Sequence, residues 1–237
     1  MNMLHFRTAV LLLLCALSSH ATLAQSGPDE DQLGSWYMYF FNKSFSEESR
    51  FGLQGDLQYR AWDAGGDLEQ LLLRGGLTYR PENANVLLTL GYANITTGEF
   101  GDGDATTGES RIYQEALLPH RLSNRIRLTH RFRYEQRFVD DQDFRTRYRY
   151  NLFVNILLNA DEFARKTVYV ALYNELFING QTNIGDGRTV QYFDRNRTYL
   201  GLGYGLRDNL RVQAGWMQQT TVNWQKGQTQ LSLHHSF

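Results

Sequence analysis

Residues 125–138 read RIRLTHRFRYEQRF, and after a short acidic break residues 144–152 read FRTRYRYNL. The period is two. Arg125, Arg127, Arg131, Arg133, Glu135 and Arg137 fall on one parity, and Ile126, Leu128, Phe132, Tyr134 and Phe138 on the other. The second segment sets Arg145, Arg147 and Arg149 against Phe144, Tyr148, Tyr150 and Leu152. Successive side chains on a strand point to opposite faces, so these are strands with one ionic and one aromatic face. A soluble sandwich turns its apolar face inward and mixes the charges outside. Stacked charge of one sign beside a bulky aromatic face fits the reverse arrangement, a transmembrane barrel with a polar lumen.

The ends of the chain point the same way. Residues 1–24 have the form of a secretory signal peptide, with His5 and Arg7 before a short apolar run, Ala9–Leu17, and Thr22-Leu23-Ala24 as a small-residue cleavage site. The apolar run is too short for a spanning helix, which needs about 20 residues. Cleavage there removes Cys15, the only cysteine, and with it thiolate and disulfide chemistry. Residues 25–237 then form a single barrel domain. Its last residue, Phe237, ends an alternating strand and is the expected assembly signal.

Composition narrows the class. Mean hydropathy is −0.47 and the formal net charge is −1. Helical spans are thus excluded, barrel strands are not, and no global field calls for nucleic acid. Of 24 basic residues only Lys43, Lys166 and Lys226 are lysines. Arginine keeps its charge and grips carboxylates and phosphates in a planar fork, which suits a confined ionic wall.

The alternation predicts strands at Leu33–Phe41, Arg50–Trp62, Leu68–Arg80, Val86–Thr97, Ser110–Leu118, Leu122–Val139, Phe144–Ile156, Thr167–Asn179, Val190–Leu206, Asn209–Thr221 and Gly227–Phe237. That is eleven. Bacterial single-chain barrels have even strand numbers, so about twelve strands are expected, with ten as the alternative. The fold class is all-β, an antiparallel up-and-down barrel. Tight turns are expected at Pro81-Glu82-Asn83, Pro119-His120-Arg121 and Arg207-Asp208. Longer loops are expected at Thr97–Glu109, Asn179–Thr189 and Thr221–Lys226.

Several of these segments resemble a known bacterial family. They are Leu33-Gly34-Ser35-Trp36-Tyr37, QLLLRGGLTY at 70–79, Arg125–Phe138, Tyr173-Asn174-Glu175-Leu176-Phe177, and Asn196 to Tyr204. The chain is similar there to proteins catalogued as domain of unknown function 2490, regarded as outer-membrane barrels. The resemblance implies that fold and the outer membrane of a Gram-negative cell as the location. It implies no activity.

By parity the lumen receives Arg60, Arg74, Arg111, Arg125, Arg127, Arg131, Arg133, Arg137, Arg145, Arg147, Arg149, Arg195 and Arg197. The acids Asp56, Glu69, Glu115, Glu135 and Glu175 join them. Arginines outnumber acids, so the lumen is either an ion-paired filling or an anion-preferring passage. The expected function is a passive anion channel or a structural barrel, with the bilayer, the outer-membrane assembly machinery and small anionic solutes as partners. The alternatives are a lipid-modifying enzyme, such as a lipid A hydrolase or acyltransferase, and a barrel that binds a partner through its long loops. His234 and Ser236 share a strand face, but a terminal assembly strand explains them as well. His130 falls on the apolar face. Gly201, Gly203 and Gly205 more simply relieve crowding on a strand than cradle a phosphate. No enzyme, metal site or cofactor is expected.

Overall fold

The computed structural model describes residues 31–101 and 103–237. The expected signal peptide and its cleavage site lie outside them. Among the described residues there are eleven strands and no helix. The strands are β1 (Gly34–Ser44), β2 (Phe51–Ala61), β3 (Leu68–Tyr79), β4 (Leu87–Gly98), β5 (Thr106–Arg121), β6 (Ile126–Val139), β7 (Arg145–Leu157), β8 (Val168–Asn179), β9 (Phe193–Arg207), β10 (Leu210–Thr220) and β11 (Gln225–Ser236). Each pairs antiparallel with its sequence neighbour, and β1 closes the barrel by pairing parallel with β11, from Gly34 opposite Gln228 to Asn42 opposite Ser236.

That parallel seam corrects the strand count. The expectation of twelve, or ten, assumed all-antiparallel closure, which needs an even number. One parallel pair lets eleven strands close. The same seam separates the start of the wall from its finish. β1 begins at the end that carries connections 62–67, 99–105, 140–144, 180–192 and 221–224. We call it the loop end. Phe237 lies at the opposite end, where its N–H donates to the carbonyl of Asn42.

The register also fixes the width. A row followed from Trp36 through β2, β3 and β4 meets β5 at Thr107, and followed the other way round it meets β5 at Arg121. The stagger is therefore fourteen residues, Thr107 to Arg121, which tilts the strands by roughly 40°. Eight strands close over one filling of side chains, while sixteen leave a channel. Eleven fall between, so the side chains decide whether this lumen is open.

The faces follow the alternation. Leu53, Leu73, Leu90, Leu200, Leu202 and Trp216 are exposed on the outer wall, and the outward rings of Phe132 and Tyr150, Tyr134 and Tyr148, and Phe138 and Phe144 lie 5.0–5.2 Å apart across strands. The inner wall buries arginines, glutamates and glutamines. Glycines admit the larger inner rings. A Cβ at Gly203 would lie 2.1 Å from the Tyr169 ring, and one at Gly201 2.1 Å from the Tyr199 hydroxyl. The glycine run on β9 therefore relieves crowding, as its strand setting suggested.

Two connections differ from expectation. Pro119 lies inside β5 and the turn follows it at 122–125. Its missing N–H faces the β4 side, where pairing has already ended at Leu117, and its carbonyl accepts from Asn85 Nδ2 at 2.7 Å. A proline is tolerated there because no ladder bond is lost. Connection 158–167, at the Phe237 end, is longer than a tight turn. It folds against the barrel: Lys166 N–H donates to Gly205 O, and Arg165 N–H to Asp208 Oδ1.

Candidate functional site

The lumen is the candidate site, and it is built from strand parity plus two irregularities. On β2 to β8 the inward positions supply Asp56, Arg74, Glu109, Arg111, Glu115, Arg131, Arg133, Glu135, Arg137, Arg145, Arg147, Arg149 and Glu175. Two further carboxylates enter through β-bulges. The pairing shifts between Arg60 and Ala61, which leaves Glu69 as the extra residue on β3. It shifts again between Phe177 and Ile178, which leaves Asp194 as the extra residue on β9. A bulge re-aims the side chain that strict alternation would send outward; Glu69 has the parity of the outward Leu71 and Leu73, so the bulge and not parity accounts for its expected place in the lumen.

These charges form one nearly continuous network. Arg74 grips Asp56 with Nε and Nη2 at 2.8–3.0 Å. Glu109 accepts from Arg111 at 2.6 and 2.7 Å and from Arg137 at 2.5 and 3.0 Å. Glu115 takes Arg133 at 2.5 Å and Gln54 at 2.8 Å. Glu175 takes Arg131 and Arg149, each at 2.6 Å. Glu135 is the hub. It is 1 % exposed, accepts from Arg147 at 2.7 Å and Arg149 at 2.6 Å, and has Arg111 at 3.7 Å and Arg133 at 3.9 Å. Asp194 extends the network to Arg147 at 2.7 Å and Arg195 at 3.3 Å.

Some cations lean on rings instead. Arg60 and Arg197 stand 3.7 and 4.7 Å from the ring of Trp36, whose Nε1 donates to Glu69 at 2.7 Å. Neither has an ion-pair partner among the described residues; Arg60 donates to Gln58 and Gln70, and Arg197 to Gln219. Stacking on an aromatic face is the favourable resource left to a desolvated guanidinium. Toward the Phe237 end the lumen fills with aromatic rings, with Arg211 on Phe163 at 4.1 Å and Gln213 donating to the Tyr169 hydroxyl among them. Tyr173 and Tyr199 stack at 4.9 Å, Met217 and Leu157 are buried beside them, and Phe163 of connection 158–167 meets Tyr169 edge-on at 5.0 Å.

The arrangement places most of the expected residues on the inner wall and moves two, Arg125 and Arg127. Arg74, Arg111, Arg131, Arg133, Glu135, Arg137, Arg145, Arg147, Arg149, Glu175 and Arg197 line the lumen as read. Arg125 does not. It sits in turn 122–125, its side chain 59 % exposed and 3.4 Å from Asp161. Arg127 is at the same rim and donates to the carbonyls of Ser123, Asn124 and Asp161. The alternation runs on past the point where the barrel wall ends, so parity alone carried both inward. Arg195 is at the opposite rim, its side chain 24 % exposed. The reading missed Glu109, whose parity with Arg111 was the available signal, and Asp194, which only the bulge brings in.

His234 and Ser236 share a face without pairing. His234 Nε2 lies 3.0 Å from Ser232 Oγ, and Ser236 accepts from Asn42. His234 stacks on Phe40 at 4.8 Å. His130 is on the outer face, 2.9 Å from the Tyr150 hydroxyl. No group of three or more potential metal ligands occurs among the described residues. Outside the wall, in connection 62–67, Asp63 Oδ1 accepts the N–H groups of Gly65, Gly66 and Asp67 at 2.7–3.1 Å. These bonds, Gly65 foremost, hold its carboxyl below the usual carboxylate range.

The model of a family described as "Protein of unknown function (DUF2490)" matches residues 33–230, from the start of β1 into β11. The chain belongs to the DUF2490 family. The match spans β1 to β10 and the first half of β11, so it covers the barrel wall and its arginine-filled lumen apart from residues 231–236 of the last strand. Comparison with curated proteins and with solved structures gives no match.

Proposed function

We propose that the chain is an outer-membrane β-barrel whose lumen is closed, a structural membrane barrel rather than a standing pore. One observation carries the closure. The guanidiniums and carboxylates of the inner wall from Asp56 to Arg197 are almost all buried, so they touch one another rather than a water column. A wet channel would leave these groups solvated. The aromatic floor around Tyr169, Tyr199 and Phe163 supports the same reading. The membrane location rests on the inverted pattern. Leucines are bare on the outside of a closed wall while the charges are inside, an arrangement that water does not stabilise and lipid does. This reading assigns no reaction to the chain. A passive anion path would require the network around Glu135 to part.

The test has two steps. Cell envelopes separated on a density gradient should carry the protein with the outer membrane, in a form whose gel mobility changes on heating. Purified protein in a planar bilayer should then give no steady current. A stable ohmic current would overturn the closed reading.

A further inference from the structure

Arg60 and Arg197 stack on Trp36 and Arg211 on Phe163, and the positive charge left with neither acid nor ring lies at the mouth at the loop end. There the register sets Arg111, Arg137 and Arg145 in one row across β5, β6 and β7. Like charges directly opposite across strands destabilise a sheet. Glu109 answers the first two with paired contacts. Arg145 is left over. It is 7 % exposed, makes no ion pair or hydrogen bond among the described residues, and its Nε is wholly buried without a partner. Arg195, two strands on in β9, also has a buried Nε with no partner, and shares Asp194 with Arg147. Between them, on β8, Asn179 spends its amide N–H on Gln191 O and keeps its side-chain oxygen buried and unsatisfied. In this region five guanidiniums, from Arg111, Arg137, Arg145, Arg147 and Arg195, face three carboxylates, Glu109, Glu135 and Asp194. A buried polar group without a partner costs free energy comparable to a lost hydrogen bond, and more when it is charged.

We propose that the loop-end mouth binds a phosphate group, held by Arg145 and Arg195 with Asn179 accepting from a phosphate hydroxyl. The unfilled positions match that ligand. Arg145 on β7 and Arg195 on β9 flank the strand of Asn179, and guanidinium forks grip the oxygens of an oxyanion in pairs. The spare acceptor on Asn179 needs a hydroxyl, which a monoprotonated phosphate has and a carboxylate or chloride lacks. Entry is from the loop end, since the aromatic floor closes the other. Inorganic phosphate carries that hydroxyl at neutral pH, and a phosphorylated sugar carries it in its monoanion, below its second pKa of about 6. The site deepens the closed-barrel reading without depending on it: phosphate binding by a barrel that conducts would overturn closure and leave this proposal standing.

The full chain, folded in detergent micelles, provides the test. Its unfolding temperature and phosphorus NMR line width are followed against inorganic phosphate, glucose 6-phosphate, acetate and chloride at equal ionic strength. Phosphate should raise the unfolding temperature and broaden the phosphorus line where acetate and chloride do neither. A stronger response to glucose 6-phosphate would identify a phosphorylated sugar as the source, and a stronger response to inorganic phosphate the free anion. Arg145→Gln and Arg195→Gln should each weaken binding by about tenfold or more, since each loses a charge-assisted fork. Arg50→Gln, at an exposed ion pair on the far rim, should bind as wild type. Heat-modifiable mobility checks that each variant is folded, and Arg195→Gln decides if Arg145→Gln does not fold. Equal responses to acetate or chloride, or wild-type phosphate binding in the folded variants, would overturn the proposal.

Discussion

At the scale of single residues, the balance turns on Glu135. One carboxylate lies within 4 Å of four guanidiniums. Deleting one partner of a buried ion pair leaves the other charge uncompensated, which costs on the order of 3–5 kcal/mol. Glu135→Gln should therefore destabilise the barrel by about that amount, read from urea unfolding in micelles. Asp161→Asn breaks an exposed pair with Arg125 and should cost under about 1 kcal/mol. Equal losses would mean that the lumenal charges are solvated after all. The hub was legible in the sequence, because Glu135 shares parity with a run of arginines and parity survives folding in a regular strand. Asp194 was not legible. Alternation from Arg195 and Arg197 sends it outward, and only the extra residue of the bulge turns it in. Bulges are set by how two strands of unequal length accommodate each other, which the local pattern of one strand does not contain. Gly203 belongs to this scale too. Gly203→Val would drive a branched side chain into the Tyr169 ring, and overpacking of this kind costs about 1–3 kcal/mol.

At the scale of the strand, the proposed membrane setting gives the two faces different solvents, and substitutions should separate them. Leu200 on β9 is 60 % exposed on the outer wall. Leu200→Arg should destabilise the folded protein in lipid by roughly 2–4 kcal/mol if it lies near the bilayer midplane. In a detergent that lets the arginine reach water, the penalty should shrink. A loss that is the same in lipid and in detergent would place Leu200 against protein instead. The inner face is not lenient merely because it is polar. Gln58 is fully buried between Asp56 and Arg60, so Gln58→Arg meets a full lumen and an added cation, and should also destabilise. The sequence read the polarity of that face correctly, but no alternation pattern reports whether a lumen is wide enough to stay wet. The seam strand is the other sensitive element. β11 closes the wall on β1, and Phe237 packs on His235 at 3.9 Å while its N–H holds Asn42. An unpaired edge is not tolerated in hydrocarbon. Deleting Phe237 should lower the amount assembled in the membrane, measured as the heat-modifiable fraction, without altering phosphate binding by the protein that does fold.

At the scale of the whole molecule, the odd strand count has a topological consequence. In an even, all-antiparallel barrel the first strand starts where the last one ends. Here β1 starts at the loop end, where Lys226 at the start of β11 donates to the carbonyl of Gln32, and the wall finishes at the opposite end with Phe237. The count itself was nearly legible, since all eleven strands could be read from the alternation. What the sequence withheld was the hand-off between β1 and β11, because parallel and antiparallel partners present the same alternating faces. The two closures predict different surfaces for the cell. With Phe237 on the periplasmic side, an epitope inserted in connection 180–192 should be labelled on intact cells, and one in connection 158–167 should be labelled only after the outer membrane is opened. A twelve-stranded barrel makes the same two predictions. It differs at the start of the wall: an epitope placed at Gln32 should be reached from outside if β1 runs parallel to β11, and should be protected if a further strand lies within the wall between β1 and β8. Labelling at Gln32 together with protection after Phe237 therefore fixes the parallel seam in the membrane. Protection of both would replace it with an even barrel, and would put the phosphate-binding mouth and the start of the wall on opposite faces.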